Sequence, residues 1–501
     1  MTSGLGLFSN LGSGSTISNL TLANANVSAI SGTTYVGALV GQSQGPASAR
    51  AMISNVSVGG TVSVTNGTYI GGVVGYMAGA GGLDNVVSNA SVSGYNNVGG
   101  IVGYLSSGAI TNSVASGAVS GGASAQSIGG LVGNSYGSIS ASHATGAVSG
   151  GTYSYYIGGL VGYNNGAISN SYATGAVSAG LSSSYVGGLA GYNSGTLTTT
   201  YATGAVTVRD ASNANNSTNI SGNYIGGLAG YNTAAVSNSY SSGAVTGATN
   251  TAVLFGYNSS TSISNVFYNI DSSTVNGNSY VGPYGIYTAQ FQDWTSHSLT
   301  LDIARYATLP FDSASGSYLI SNLQGMKDLL GFAGTAGYKF KLTANVDLST
   351  VAGYYIPVFT AASFDGGGNT LSNLNVNQPL VSNIGFIGTL GGASTLSNLV
   401  LTNLNVSGNT NVGGAVGTVL RPNATTISIS NVSVAGTVTG TGNYVGGVAG
   451  YMNTYAGLNG VSSSATVQGA SYVGGAAGYV DNATVTNSSA TGNVACCSAT
   501  T

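Results

Sequence analysis

The side chains best suited to chemistry are few and lie close together. Asp293 with His297, and Asp302 with Arg305, stand at spacings where a carboxylate could exchange protons with a basic partner. Helix caps and solvated ion pairs account for such spacings more often, so the acid–base reading is disfavoured and no catalytic residue is assigned. The run Asp365-Gly366-Gly367-Gly368-Asn369 suggests an ion cradle, but one carboxylate is too few for calcium, and a turn is the better reading. His143 stands ten residues after Gly133, the phase held by Tyr172, Tyr201 and Tyr240 after their own glycines. It is expected to substitute a ring in a row, not to bind a metal. No set of His, Cys, Asp and Glu has metal-ligand spacing, and no cofactor is expected.

Tyrosine is the side chain most open to a functional role, with 32 Tyr against 10 Phe. It flanks a Gly-Gly motif on both sides, at Tyr156 and Tyr163, Tyr185 and Tyr192, Tyr224 and Tyr231, and Tyr444 and Tyr451. Stacked in register, these rings form either an outward strip able to dock sugars or a protein, or a cover over the corners of a coil. The second reading is preferred. The first makes Tyr156, Tyr163, Tyr185, Tyr192, Tyr224 and Tyr231 the candidate ligand-binding residues.

Their positioning follows from an internal repeat. Taking the last glycine of Tyr185-Val186-Gly187-Gly188-Leu189-Ala190-Gly191 as marker, equivalents fall at Gly41, Gly75, Gly103, Gly133, Gly162, Gly191, Gly230 and, degenerate, Gly256. A second series falls at Gly388, Gly417, Gly450 and Gly478. Most intervals are 28 to 30 residues, with longer ones of 33, 34 and 39, as coils with variable turn insertions produce. Each unit holds short β-branched runs bounded by Gly and Asn, which read as strands, and no 3.6 period. Identical strands at this period stack most simply as an all-β, right-handed parallel β-helix, or β-solenoid, with coils of about 29 residues. An asparagine recurs at one phase as Asn19, Asn55, Asn89, Asn112, Asn170, Asn238, Asn265, Asn398, Asn431 and Asn487, predicting an amide ladder.

Composition agrees. Seven Lys and Arg and ten acidic residues make only 3% of 501 residues charged, and 83 are glycine. Backbone pairing between coils needs few charges. A net charge of −3 leaves no basic footprint for nucleic acid. Apolar runs are too short for a membrane-spanning helix, and the start at Met1 carries no readable signal peptide. The adjacent Cys496 and Cys497 rarely have the geometry for a mutual disulfide. Asn-x-Ser/Thr triplets, as at Asn55, Asn66 and Asn431, are expected by chance at this composition.

Ten of the 17 charges fall in the 75 residues from Phe291 to Asp365, with the single Trp294. A short helix is expected within Leu319 to Phe332 after a strand, and another from Thr288 to Trp294. The chain thus divides into a first array at 1–267, a charged junction and entry module at 268–383, and a second array at 384–501. Leu5 to Leu22 aligns without gaps on Ile384 to Leu401, so both arrays open at the same structural point. The second has an introductory segment and the first does not, so about 65 residues resembling Leu319 to Asn383 are expected to precede residue 5 in a longer protein.

The phrase from Ile157 to Val177, Val/Ile-Gly-Gly-Leu-Val-Gly-Tyr-Asn followed by Gly-x-Ile-x-Asn-Ser-Tyr-Ala-Thr-Gly, resembles the GLUG repeat of bacterial surface proteins. That repeat occurs in filamentous-haemagglutinin-type adhesins and beside immunoglobulin A peptidase domains. Tyr287 to Phe291, Leu319 to Leu323, Asn345 to Ser349 and Phe364 to Leu371 resemble the segments that close and open such arrays. The resemblance implies a secreted or cell-surface β-helical stalk without catalytic residues, attaching to a host-cell or matrix protein or glycan, or to itself. Two other readings stay open: the non-catalytic spacer of a secreted hydrolase such as an immunoglobulin A peptidase, and a carbohydrate-active β-helix. The last needs clustered carboxylates on adjacent rungs, and no two acids in the arrays share a phase in neighbouring units.

Overall fold

A computed structural model describes residues 3–29, 32–43, 50–208, 224–247, 250–420, 427–453 and 456–496. Met1, Thr2 and Cys497 lie outside these residues. The chain forms two compact units, Met1–Tyr280 and Val281–Thr501.

In the first unit each repeat makes one coil of short strands, and each strand pairs in parallel with its counterpart in the next coil. The coil around the Ile157 motif has strands Tyr155–Gly158, Val161–Asn164, Ile168–Ala173 and Val177–Ala179. Register is one-to-one: Ile157 faces Val186, Val161 faces Ala190, Ile168 faces Leu197 and Val177 faces Val206. Alternate residues therefore point to one interior, where Ile110, Ile139, Ile168, Leu197 and Val236 make a column that is fully or almost fully buried. A nine-stranded parallel sheet runs from Phe8–Leu11 to Phe255–Asn258. This is the parallel β-solenoid the repeat predicts.

Glycine sets how close the coils come. A Cβ on Gly159 would stand 2.0 Å from the carbonyl oxygen of Gly188, and one on Gly175 1.9 Å from that of Gly146. Any side chain at these positions would push neighbouring coils apart, which is why glycine is periodic.

The second unit opens with the helices α1, Thr288–Ser296, which runs two residues past the expected end at Trp294, and α2, Leu323–Leu329, which lies within the expected Leu319 to Phe332. Asn322 caps α2 by accepting from the Gly325 amide at 2.9 Å, and the strand Ser317–Ile320 precedes it. Trp294, Met326 and Leu329 are fully buried. Strands from 339–377 then form the edge on which the second array stacks: Ile356 pairs with Ile387, Phe364 with Leu396, Leu371 with Leu401 and Val376 with Val406.

The gapless match between the array openings extends to backbone detail. Thr16–Ala29 and Thr395–Gly408 are both 14-residue strands. Each shifts register at the same place against the following coil, between Leu22 and Ala25 and between Leu401 and Leu404. The facing residue is glycine in both, Gly60 at φ 113° and Gly436 at φ 141°, where a Cβ would meet the opposing carbonyl oxygen at 2.0 and 2.2 Å. One bulge is thus written twice in the chain.

Candidate functional site

The six candidate tyrosines lie together, half-exposed, in two interleaved rows. Tyr163, Tyr192 and Tyr231 stack with centroids 5.0 and 5.2 Å apart and planes within 1° and 7°. Tyr156, Tyr185 and Tyr224 form the second row at 5.1 and 5.5 Å, and meet the first edge-on, as Tyr156 does Tyr163 at 5.4 Å and 82°. Tyr156 and Tyr185 reach this position only with left-handed backbone, φ 58° and 59°, which is rare for an aromatic residue. Partial burial first, then the neighbouring phenols, raise the pKa of Tyr156, Tyr185 and Tyr231, so these rings stay neutral. Stacking along the row turns ring faces toward each other and leaves edges and hydroxyls outward. The rows can offer hydrogen bonds, but they offer no open ring faces on which a sugar could lie.

His143 does take a ring position: its imidazole stacks on Tyr172 at 4.5 Å and 8°, followed by Tyr172 on Tyr201 at 4.6 Å and Tyr201 on Tyr240 at 4.8 Å. Burial pulls its pKa below the ordinary histidine value, favouring the neutral ring. In the same row Tyr201 is pushed up to about 12, by burial first and then by Tyr240 and Tyr172.

The amide ladder forms, with one correction. Asn55 donates to Asn19 at 3.2 Å, Asn85 to Asn55 at 2.8 Å, Asn265 to Asn238 at 2.7 Å and Asn431 to Asn398 at 3.1 Å. Asn85, not the predicted Asn89, holds this phase, because the register sets Ser54 opposite Asp84 and Val56 opposite Val86. The reason for asparagine is conformational: Asn19, Asn55, Asn85, Asn112, Asn170, Asn238 and Asn265 all have φ between 48° and 55°, the left-handed region that Asn tolerates. Ala141 and Thr199 occupy the same phase at φ 47° and 54° and interrupt the ladder. Asn55 thus donates through its amide to Asn19 and accepts from Asn85, two ladder bonds in one side chain.

Two further ladders escaped the sequence reading. Three asparagines that follow Gly-Tyr are buried, Asn164, Asn193 and Asn232: Asn164 donates to Asn193, and Asn193 to Asn232, both at 2.7 Å, and Asn232 to the half-buried Asn258 at 2.8 Å. The recurring Tyr-Asn pair was the available signal. Beside the left-handed corner, a hydroxyl of the next coil replaces a backbone acceptor: the Ser113 amide donates to Ser142 Oγ and the Ser142 amide to Ser171 Oγ, each at 3.1 Å. The Asn-Ser-Tyr of the motif is therefore a corner residue, a substitute carbonyl and a stacking ring.

At the junction Asp293 meets His297, as the spacing suggests, while Arg305 turns to Asp293 and not to Asp302. Arg305 grips Asp293 through Nε at 3.1 Å and Nη2 at 2.8 Å, and Tyr306 donates to the same carboxylate at 2.9 Å. His297 Nδ1 lies 3.1 Å from Asp293 Oδ1 and 2.8 Å from the Asp293 carbonyl. Asp302 instead caps the Ala304 amide at 3.0 Å. Burial raises the Asp293 pKa, but hydrogen bonds from Arg305 and Tyr306 outweigh it and hold the carboxyl below its ordinary value. An ionised carboxylate held by Arg305 and Tyr306 braces this part of the fold. Asp365 accepts from Gly367 and from Asn398, each at 2.9 Å, which is the expected turn.

Among the described residues no three His, Cys, Asp or Glu gather as metal ligands, and no helix is long and apolar enough to cross a membrane. No solved structure matches the chain. It is 31% identical over 151 residues to halomucin of Haloquadratum walsbyi, a match over 28% of this chain. The chain spans about 2% of the length of that relative. The GLUG motif matches residues 153–178, 221–246 and 469–495. Each of these stretches covers about one coil, so the chain carries GLUG repeats in both of its compact units.

Proposed function

We propose that this chain is a non-catalytic, repetitive stalk and adhesive segment of a secreted or cell-surface protein, mediating attachment or self-association. One observation carries the reading: within Ile157 to Val177 the polar and aromatic side chains are spent on their counterparts in neighbouring coils. A motif used this way builds length and a regular lateral surface instead of a reaction centre. The GLUG repeats and the similarity to a protein named as a mucin support it. The partner is a host-cell or matrix protein or glycan, or a second copy. Beads coated with the 501-residue chain should adhere to cultured epithelial cells or to one another, and beads carrying heat-unfolded chain should not. Equal behaviour of the two, together with a monomer in sedimentation velocity, overturns the proposal.

A further inference from the structure

Three successive coils of the first unit differ in length at one corner. Register pairs Ser63, Ser93 and Ser120, and just beyond the corner it pairs Thr68, Asn96 and Gln126. Between these fixed points the first coil has four residues, 64–67, the second only two, Gly94 and Tyr95, and the third five, 121–125. The middle coil is cut short between two longer neighbours. The result is a notch of about 420 Å³, floored by Gly94 and Tyr95 and walled by Thr65-Asn66 on one side and Gly122-Ala123 on the other. Two coil steps make it roughly 10 Å wide.

The lining is uncharged. Hydroxyls of Ser63, Ser93 and Ser120 run along it, with Ser93 donating to Ser63 at 2.8 Å. Among the described residues no ring stacks on Tyr95, which is half-buried and lines the notch, whereas the ring faces of the rows cover one another. The backbone of Ser91–Gly99 is already paired on both edges, to Met52–Val64 and Thr68–Gly71 on one and Val119–Gly129 on the other. An extended peptide would find no open edge there. Hydroxyl donors and acceptors beside an unstacked aromatic ring, without charge, suit a neutral sugar ring.

We propose that this notch binds an uncharged hexose oligosaccharide, with Tyr95 as the platform beneath one ring and the serine hydroxyls as its hydrogen-bonding partners. The proposal rests on the adhesive reading and supplies its ligand class. Gly122 offers a clean test, since a Cβ there meets nothing within 4 Å. Gly122→Trp should fill the notch with the coil intact, and Tyr95→Ala should remove the platform.

The experiment is saturation-transfer NMR on the full chain with cellohexaose, mannohexaose and galactohexaose, and an oligogalacturonate as the charged control. At least one neutral probe should bind, the charged one should not, and each variant should weaken binding by about tenfold or more. Tyr472→Ala, at an exposed ring of the second unit, should leave binding unchanged. Failure of every neutral probe, preference for the charged probe, or binding that survives both notch variants overturns the proposal. Bead adherence measured on the same proteins separates the two ideas: adherence without saccharide binding removes the notch alone, and saccharide binding without adherence or self-association removes the adhesive reading alone.

Discussion

The Nδ2 of Asn164 donates to Oδ1 of Asn193 at 2.7 Å inside the core, while Oδ1 of Asn164 itself is buried without a partner. The coil before it carries Ser135 at the facing position, whose hydroxyl turns to the Gly137 carbonyl at 3.1 Å. Asn164 makes the equivalent bond to Gly166 at 2.9 Å, so an asparagine at 135 could make both contacts. Ser135→Asn should extend the ladder by one rung and stabilise the first unit by about 1 kcal/mol. Chemical denaturation of the two proteins decides, and a lower midpoint for the variant refutes the ladder account.

Thr199 lies in register between Asn170 and Asn238 with φ 54°, a conformation a β-branched residue adopts only under strain. Thr199→Asn should remove that strain and bridge the gap between its neighbours, raising stability by about 1 kcal/mol. The reverse change, Asn238→Thr, should lower it by a similar amount. Equal midpoints for wild type and both variants would refute the conformational reading of the row.

The raised pKa of Tyr201, about 12, has a signed consequence. The folded state holds the phenolic proton more tightly than the unfolded chain does. Its contribution is therefore complete below the ordinary tyrosine pKa of about 10, and is lost as pH rises through about 12. Tyr201→Phe should flatten this loss of stability with alkali. It should also remove a late-titrating component from the phenolate absorbance, and an unchanged titration curve would place the effect elsewhere.

Two carboxylates of the second unit should respond to acid in opposite directions. Asp293, depressed by Arg305 and Tyr306, contributes stability that is present above the ordinary carboxylate pKa and lost as pH falls through its own. Asp328 is raised by burial despite hydrogen bonds from Thr308 at 2.6 Å and Gln324 at 2.9 Å, so ionising it at neutral pH costs stability. Asp293→Asn should lower the neutral-pH melting temperature and Asp328→Asn should raise it. Measured at about pH 4, both differences should shrink.

Coil period, junction helices and the stacking role of His143 were legible in the sequence, because each depends on spacing alone. The ladder falls on Asn85 and not on Asn89 because Asn85 lies inside the strand Gly82–Ser88 and Asn89 just beyond it, and only the pairing of Ser54 with Asp84 decides between them. The buried Asn164 ladder was hidden because an Asn beside Gly and Tyr reads as a turn residue, whereas here its amide faces inward and is satisfied only by another coil. The notch is a difference in length between neighbouring coils, visible only when Ser63, Ser93 and Ser120 are set in register. The stacking of the tyrosines in register was legible, but their ring orientation needed coordinates.

The one-to-one register of the coils also has a mechanical meaning. Backbone and ladder hydrogen bonds in the first unit run between successive coils, so tension that separates two neighbours squarely must break every bond of that interface together. Force applied through the chain instead peels a coil strand by strand, loading one contact at a time. A repeat of this kind should resist traction delivered across a whole coil and yield readily to a pull on the polypeptide itself, so the point at which load enters matters more than the number of repeats.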